Sequence, residues 1–136
     1  MAEKRDGGCQ CGAVRYRVNG KPVALTVCHC TECQRQSGSA FGMSLLVPED
    51  GFQLLSGEPK IFTRAAESGR AVDCAFCPDC GTRVYHDPSG MQGIINVKPG
   101  TLDDRSWLAP AMHVWTKSRQ AWVAIPEDVR TYDTQP

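Results

Sequence analysis

Eight cysteines in 136 residues are the part of this sequence best suited to chemistry. They form three groups: Cys9-x-Cys11, Cys28-x-Cys30-x2-Cys33 and Cys74-x2-Cys77-x2-Cys80. The segment Cys11-Gly12-Ala13-Val14-Arg15-Tyr16 is echoed by Cys80-Gly81-Thr82-Arg83-Val84-Tyr85. Each copy has a second cysteine just upstream, Cys9 in one and Cys77 in the other. Cysteine pairs on tight turns that end in glycine and enter a strand resemble metal-binding knuckles, the glycine tolerating the positive φ of the turn. Structural zinc takes four ligands in a tetrahedron, often all thiolate. The echo therefore joins Cys9 and Cys11 to Cys77 and Cys80 in one closed zinc site. Such a site ties distant parts of the chain together and contributes directly to folding.

The middle cluster is of another kind. Cys28, Cys30 and Cys33 supply three thiolates with no obvious fourth ligand beside them. Three protein ligands and one open position is the pattern of catalytic zinc. His29 is one alternative fourth ligand, but on an extended segment it points away from its two neighbours. A position behind the ligands or on the surface suits it better. Cys74 or a distant side chain closing the site is the other alternative, and would make it structural. Zinc held by three thiolates carries a net charge of about −1 and is a weak Lewis acid. It is better suited to deprotonating a substrate thiol and holding the sulfur than to acidifying water. Cys74 is read as a free thiol, although its spacing also permits pairing with Cys77.

The elements that must position these cysteines are short. Val14, Tyr16 and Val18 alternate with Arg15 and Arg17, which predicts a strand with one wet face. Further strands are expected over Val23–Val27 running into Cys28, Phe41–Val47 ended by Pro48, Phe52–Leu55 and Lys60–Thr63. Four more are expected over Ala71–Phe76, Thr82–His86, Gly93–Val97 and Ala111–Trp115. Gly and Pro punctuate them, 13 and 9 in number, so the fold class is mainly β. Only Thr31–Gln36 and a brief segment near Thr101–Asp104, with Thr101 as its cap, suggest helix. The polar tail from Asp128 is expected to fray.

Length gives one domain, 1–136, with its core at about 7–132, large enough to fold without disulfides. No run approaches the roughly 18 apolar residues of a membrane span. The start, Met1-Ala2-Glu3-Lys4-Arg5-Asp6, lacks an apolar leader segment. A cytoplasmic setting is therefore the default, and there thiols stay reduced. Fifteen basic residues balance fifteen acidic ones, so nucleic acid is not an expected partner. Seven deprotonated thiols and two zinc ions would leave the chain mildly acidic, which strengthens that exclusion.

Three motifs in order carry a resemblance. They are Gly7-Gly8-Cys9-Gln10-Cys11-Gly12-Ala13-Val14-Arg15-Tyr16, then Cys28-His29-Cys30-Thr31-Glu32-Cys33-Gln34-Arg35-Gln36-Ser37-Gly38, then Phe76-Cys77-Pro78-Asp79-Cys80-Gly81. Together they resemble the glutathione-dependent formaldehyde-activating enzyme family, also called the GFA or CENP-V domain family. Pro110-Ala111-Met112-His113-Val114-Trp115 through Trp122 is similar to that family's C-terminal strand, so the match runs from about Gly7 to Tyr132. The resemblance implies a β-tent of short antiparallel strands around a structural zinc on Cys9, Cys11, Cys77 and Cys80. It implies a catalytic zinc on Cys28, Cys30 and Cys33. It also implies a carbon–sulfur lyase-type activity joining glutathione, or a similar thiol, to formaldehyde or another small aldehyde. Cys74 departs from the family pattern.

Several other residues complete the reading. The backbone of Ser37-Gly38-Ser39, after the open cluster, could hold an anion or an oxyanion, or be a plain turn. Arg35 could pair with a carboxylate of the thiol ligand, or be solvated. His113 reads as a satisfied core histidine. Trp107, Trp115 and Trp122 read as core or pocket wall. Lys117 and Arg119 form a small basic spot that reads as a solvated face. The competing function is a non-catalytic zinc module for protein interaction or thiol carriage. A methionine sulfoxide reductase is a weaker reading, since no reactive cysteine follows Cys80.

Overall fold

The alternation in Arg15–Asn19 does what its pattern requires. Tyr16 and Val18, with Val14 just ahead of the strand, are buried, and Arg15 and Arg17 point outward. A computed structural model describes residues 3–66, 69–88 and 92–136 of the chain; Met1 and Ala2, part of the leader reading, lie outside the described residues. Strands β1 (Lys4–Gly8), β2 (Arg15–Asn19) and β5 (Phe52–Ser56) form a small antiparallel sheet in the order β1-β2-β5. A larger sheet contains β3 (Ala24–Cys28), β4 (Gly42–Pro48), β6 (Lys60–Ala65), β7 (Ala71–Phe76), β8 (Arg83–Pro88), β9 (Ile94–Val97), β10 (Met112–Val114) and β11 (Arg130–Thr131). Its order is β11-β10-β3-β4-β9-β8-β7-β6. A helix, α1 (Thr31–Ser37), bridges β3 and β4. The mainly β expectation holds. No helix among the described residues is long and apolar enough to cross a membrane.

The core lies where the sheets meet. Val14, Tyr16 and Val18 pack with Leu25, Leu45, Val47, Val84, Ile95, Val97 and Leu102, and the cysteines Cys9 and Cys77 join the same cluster. Tyr16 is fully buried, and its hydroxyl lies 2.7 Å from Thr101 Oγ1. Thr101 Oγ1 in turn donates to the Lys98 carbonyl at 2.7 Å. Gly7 faces Tyr16 across the β1–β2 ladder. A Cβ at Gly7 would lie 2.4 Å from Tyr16 Oη and 2.6 Å from the Thr101 carbonyl oxygen. One of those neighbours is backbone, so relief is costly. Gly7→Ala is therefore expected to destabilise the fold by about 2 kcal/mol or more, read as a lower urea midpoint. Tyr16→Phe, which loses one hydrogen bond, should cost only about 1 kcal/mol. Equal midpoints for Gly7→Ala and wild type would refute the packing argument.

Four features add to or differ from the reading of the sequence. Residues Lys4–Gly8 form a strand that the charged, glycine-rich composition hid; pairing with β2 at five register positions overrides local propensity. The segment near Thr101 is a 3-10 turn over Pro99–Thr101 with Pro99 in its first turn, so Thr101 closes the turn rather than capping it. The tail does not fray: β11 pairs with β10, Tyr132 N–H donates to the His113 carbonyl at 3.0 Å, and Trp115 N–H donates to the Thr134 carbonyl at 3.1 Å. The sheets are antiparallel as expected apart from β10, which runs parallel to both β3 and β11.

Of the tryptophans, Trp107 packs against the core and its indole N–H donates to the Asp104 carbonyl at 2.9 Å. Trp122 is 73 % exposed, with its N–H on Gln120 Oε1, so its reading as core or pocket wall is corrected. Trp115 is half-buried in the left-handed region at φ 57°, with Lys117 Nζ 5.1 Å from its ring centroid. Arg119 Nη1 donates to the Val123 carbonyl at 3.0 Å, so the basic spot is tied to its own loop.

Candidate metal centres and the pocket beside them

The two echoed segments fold as matched turns. In the first, Cys9 N–H donates to the Val14 carbonyl at 3.0 Å and Gly12 N–H to the Cys9 carbonyl at 3.1 Å. In the second, Cys77 N–H donates to the Thr82 carbonyl at 2.9 Å and Gly81 N–H to the Cys77 carbonyl at 2.8 Å. Gly12 and Gly81 have φ 84° and 79°, where a side chain would be strained. One turn links β1 to β2 in the small sheet and the other links β7 to β8 in the large one. The four sulfurs of Cys9, Cys11, Cys77 and Cys80 lie within 4.8 Å of one another. The Cys9–Cys11 and Cys11–Cys77 sulfur separations are 3.6 and 3.7 Å. A tetrahedron with zinc–sulfur bonds of about 2.3 Å has edges of about 3.8 Å, so the donor set fits zinc. Val14 N–H donates to Cys9 Sγ at 3.2 Å. Thr82 Oγ1 lies 3.3 Å from Cys80 Sγ and accepts from Gln10 N–H at 3.1 Å, linking one turn to the other.

The second cluster is built on the β3–α1 junction. Cys28 ends β3, Cys30 caps α1, and Cys33 sits in its first turn. Their sulfurs lie within 4.8 Å of one another. No fourth His, Cys, Asp or Glu among the described residues joins that group. Cys33 N–H donates to Cys30 Sγ at 3.2 Å, in the manner of an N-cap side chain. Hydrogen bonds from Cys28 and then from Cys33 hold the Cys30 thiol low, and the bond to Cys30 pushes Cys28 up. Gly42, paired with Cys28 on β4, leaves room for Cys33, whose Cβ would stand 3.1 Å from a Cβ at that glycine.

The residues around this cluster divide into those that hold it and those that face it. His29 is fully buried, so the surface part of its reading is corrected. Its Nε2 meets Nδ1 of the buried His113 at 2.8 Å, joining β10 to the cysteine segment. Burial lowers the pKa of both rings, which keeps them neutral and able to share that hydrogen bond. Gln34 is a positioning residue that sequence reasoning missed. Its Nε2 donates to the His29 and Ser118 carbonyls at 2.7 and 2.9 Å, and its Oε1 accepts from Gln120 at 3.0 Å. Cys74 is fully buried on β7, outside both cysteine groups, with Gln36 Nε2 3.0 Å from its sulfur.

The turn after α1 is self-satisfied. Gly38 N–H donates to the Arg35 carbonyl at 3.3 Å and Ser39 N–H to the Gln34 carbonyl at 3.2 Å. Ser37 Oγ is 3.3 and 3.1 Å from the Gln34 and Phe41 carbonyl oxygens. The Gly38 and Ser39 amides thus point into the helix end rather than toward an anion. Arg35 is exposed on α1. Facing Cys33 is a small cavity of about 10 Å³, lined also by Gln36, Ser37, Gly42, Arg83, His86 and Lys98. His86 is buried on β8, and desolvation, then the charges of Lys98, Arg64 and Arg83, lower its pKa to about 3. His86 and Lys98 carry no motif, Arg83 lies in the echoed segment with nothing there to mark it for this cavity, and only the sheet order brings the three together.

A model of the family described as glutathione-dependent formaldehyde-activating enzyme matches residues 4–118. The chain belongs to that family. Two fungal relatives carry the family's name provisionally. The one from Colletotrichum graminicola is 21 % identical over 127 residues, covering 85 % of this chain and 65 % of its own. The one from Penicillium rubens is 24 % identical over 107 residues, covering 75 % of this chain and 55 % of its own. This chain therefore spans less than two thirds of the length of these curated relatives. A solved structure of a Rhodobacter sphaeroides protein shares the fold of this family member, with a TM-score of 0.59 at 18 % identity over 77 % of this chain and 91 % of that one.

Proposed function

We propose that this family member is a zinc-dependent enzyme of the carbon–sulfur lyase type that adds glutathione, or a similar small thiol, to formaldehyde or another small aldehyde. The observation that carries this reading is the three-sulfur group of Cys28, Cys30 and Cys33, with no fourth protein ligand among the described residues. Cys9, Cys11, Cys77 and Cys80 would hold a structural zinc, and the family name supplies glutathione and formaldehyde as substrates. Zinc at the open cluster would supply thiol acidification and a fixed position for the substrate sulfur. The chain's own part is placement. Cys30 caps α1, Gln34 anchors the Ser118 loop against the His29 backbone, and the His29–His113 pair braces the segment from behind.

In the addition, the thiol sulfur attacks the carbonyl carbon and a carbon–sulfur bond forms. The π electrons of the carbonyl move to oxygen, which takes up a proton equivalent to the one the thiol released. The reverse direction cleaves the adduct. The test is metal quantification with a chelator, with and without glutathione, alongside carbon-13 NMR of labelled formaldehyde. Two zinc ions per chain are expected, one of them released early and protected by glutathione, with faster adduct formation than in buffer. Two equally resistant zinc ions, no glutathione effect and no rate gain would favour a non-catalytic zinc module.

A further inference from the structure

Beside the open cluster, Arg83 Nη1 and His86 Nε2 are both buried without a hydrogen-bond partner among the described residues. Both residues line the cavity that also touches Cys33 and Lys98. An unsatisfied buried guanidinium nitrogen is costly and signals a missing partner. Among the described residues no carboxylate forms an ion pair with Arg83 or Lys98; the ion pairs seen are Arg5–Glu3, Arg15–Asp103 and Arg17–Asp6. Lys98 is held in place by its backbone, with its N–H donating to the Val84 carbonyl at 2.9 Å and the buried Pro99 following it. The cavity, at about 10 Å³, has room for one water-sized group. Two cations, an orphaned donor and that volume describe a receptor for a single anionic oxygen.

We infer that Arg83 and Lys98 form an oxyanion pocket beside Cys33, which takes the carbonyl oxygen of the aldehyde as it becomes the alkoxide of the thiol adduct. The inference rests on the thiol-addition reading and assigns that reaction the residues that stabilise its charge. As the carbon–sulfur bond forms, the carbonyl π pair becomes a lone pair on oxygen, and Arg83 Nη1 and the Lys98 ammonium donate to it. A proton from solvent then neutralises the alkoxide and replaces the one lost by the thiol. Charge that develops only in the transition state is where fixed donors accelerate most. A cationic surround offsetting the thiolate cluster would explain the charges alone, but not a buried Nη1 left without a hydrogen-bond partner among the described residues.

The test compares zinc-loaded wild type with Arg83→Met, Arg83→Lys and Lys98→Gln. The readouts are steady-state kinetics and calorimetric titration with formate, a small anion carrying the same kind of oxygen. Arg83→Met should lower kcat about 100-fold, leave KM for the thiol within about twofold, and weaken formate binding at least tenfold. Arg83→Lys should recover part of both losses, and Lys98→Gln should show a smaller loss of each. Zinc content and the unfolding midpoint of each variant identify any that misfolds, and Lys98→Gln then carries the comparison. Unchanged formate affinity and kcat in Arg83→Met and Lys98→Gln would overturn the pocket while leaving thiol addition standing. Arg83-dependent formate binding in a protein that forms no adduct would overturn thiol addition while supporting an anion site.

Discussion

Cys77→Ser is expected to unfold the protein at ambient temperature, or leave it soluble only as a loosely packed state. Cys77 is fully buried and belongs to the core cluster, and Cys9 and Cys11 lie on the β1–β2 turn of the other sheet. Zinc there would tie the β1–β2 turn to the β7–β8 turn, so the binding free energy is folding free energy. Structural zinc sites are worth about 10–16 kcal/mol in small peptides, against a total stability of about 5–15 kcal/mol for a typical domain. Losing one ligand therefore removes a large share of the margin. The measurements are zinc per chain and the thermal unfolding midpoint. Cys74→Ser, three residues earlier on β7, is the control. It is buried but lies outside the four-sulfur group, so it should keep its zinc and lose only packing and the contact with Gln36. A Cys77→Ser protein with full zinc and a wild-type midpoint would refute the structural assignment.

Cys30→Ser is expected to do the opposite, keeping the fold and losing the reaction. Serine is among the best N-cap residues, so it preserves the side-chain bond that Cys33 N–H makes to position 30. Cys30 is buried yet outside the main core cluster, and the Gln34 and His29–His113 contacts remain. Hydroxyl is a poor zinc ligand beside two thiolates, so the second zinc should be lost or held weakly. Turnover should fall by about two to three orders of magnitude, with the unfolding midpoint within a few degrees of wild type. Normal turnover with a single zinc per chain would dissociate the reaction from this cluster.

These two variants separate two sites that the cysteine spacing already distinguishes. Knuckle turns are local objects, so the echoed neighbours of Cys9, Cys11, Cys77 and Cys80 are enough to pair them. The same holds for Tyr16 and Val18, whose burial follows from period-2 alternation. Elements whose identity is decided by partners were not legible. Lys4–Gly8 is a strand because β2 offers it five paired positions, and the tail is ordered because β10 accepts it in parallel.

By itself the sequence determined the mainly β class, the grouping of the seven clustered cysteines, the short helix after Cys30 and the family that the motifs resemble. All of these rest on short-range spacing, which the chain carries wherever it folds. Only the tertiary structure decided what surrounds the clusters. His113 reaches His29 because β10 lies parallel to β3, and Arg83, His86 and Lys98 reach Cys33 because β8 and β9 follow β4 in the large sheet. Those neighbours are set by strand order, and strand order is settled by how the core is buried rather than by any motif.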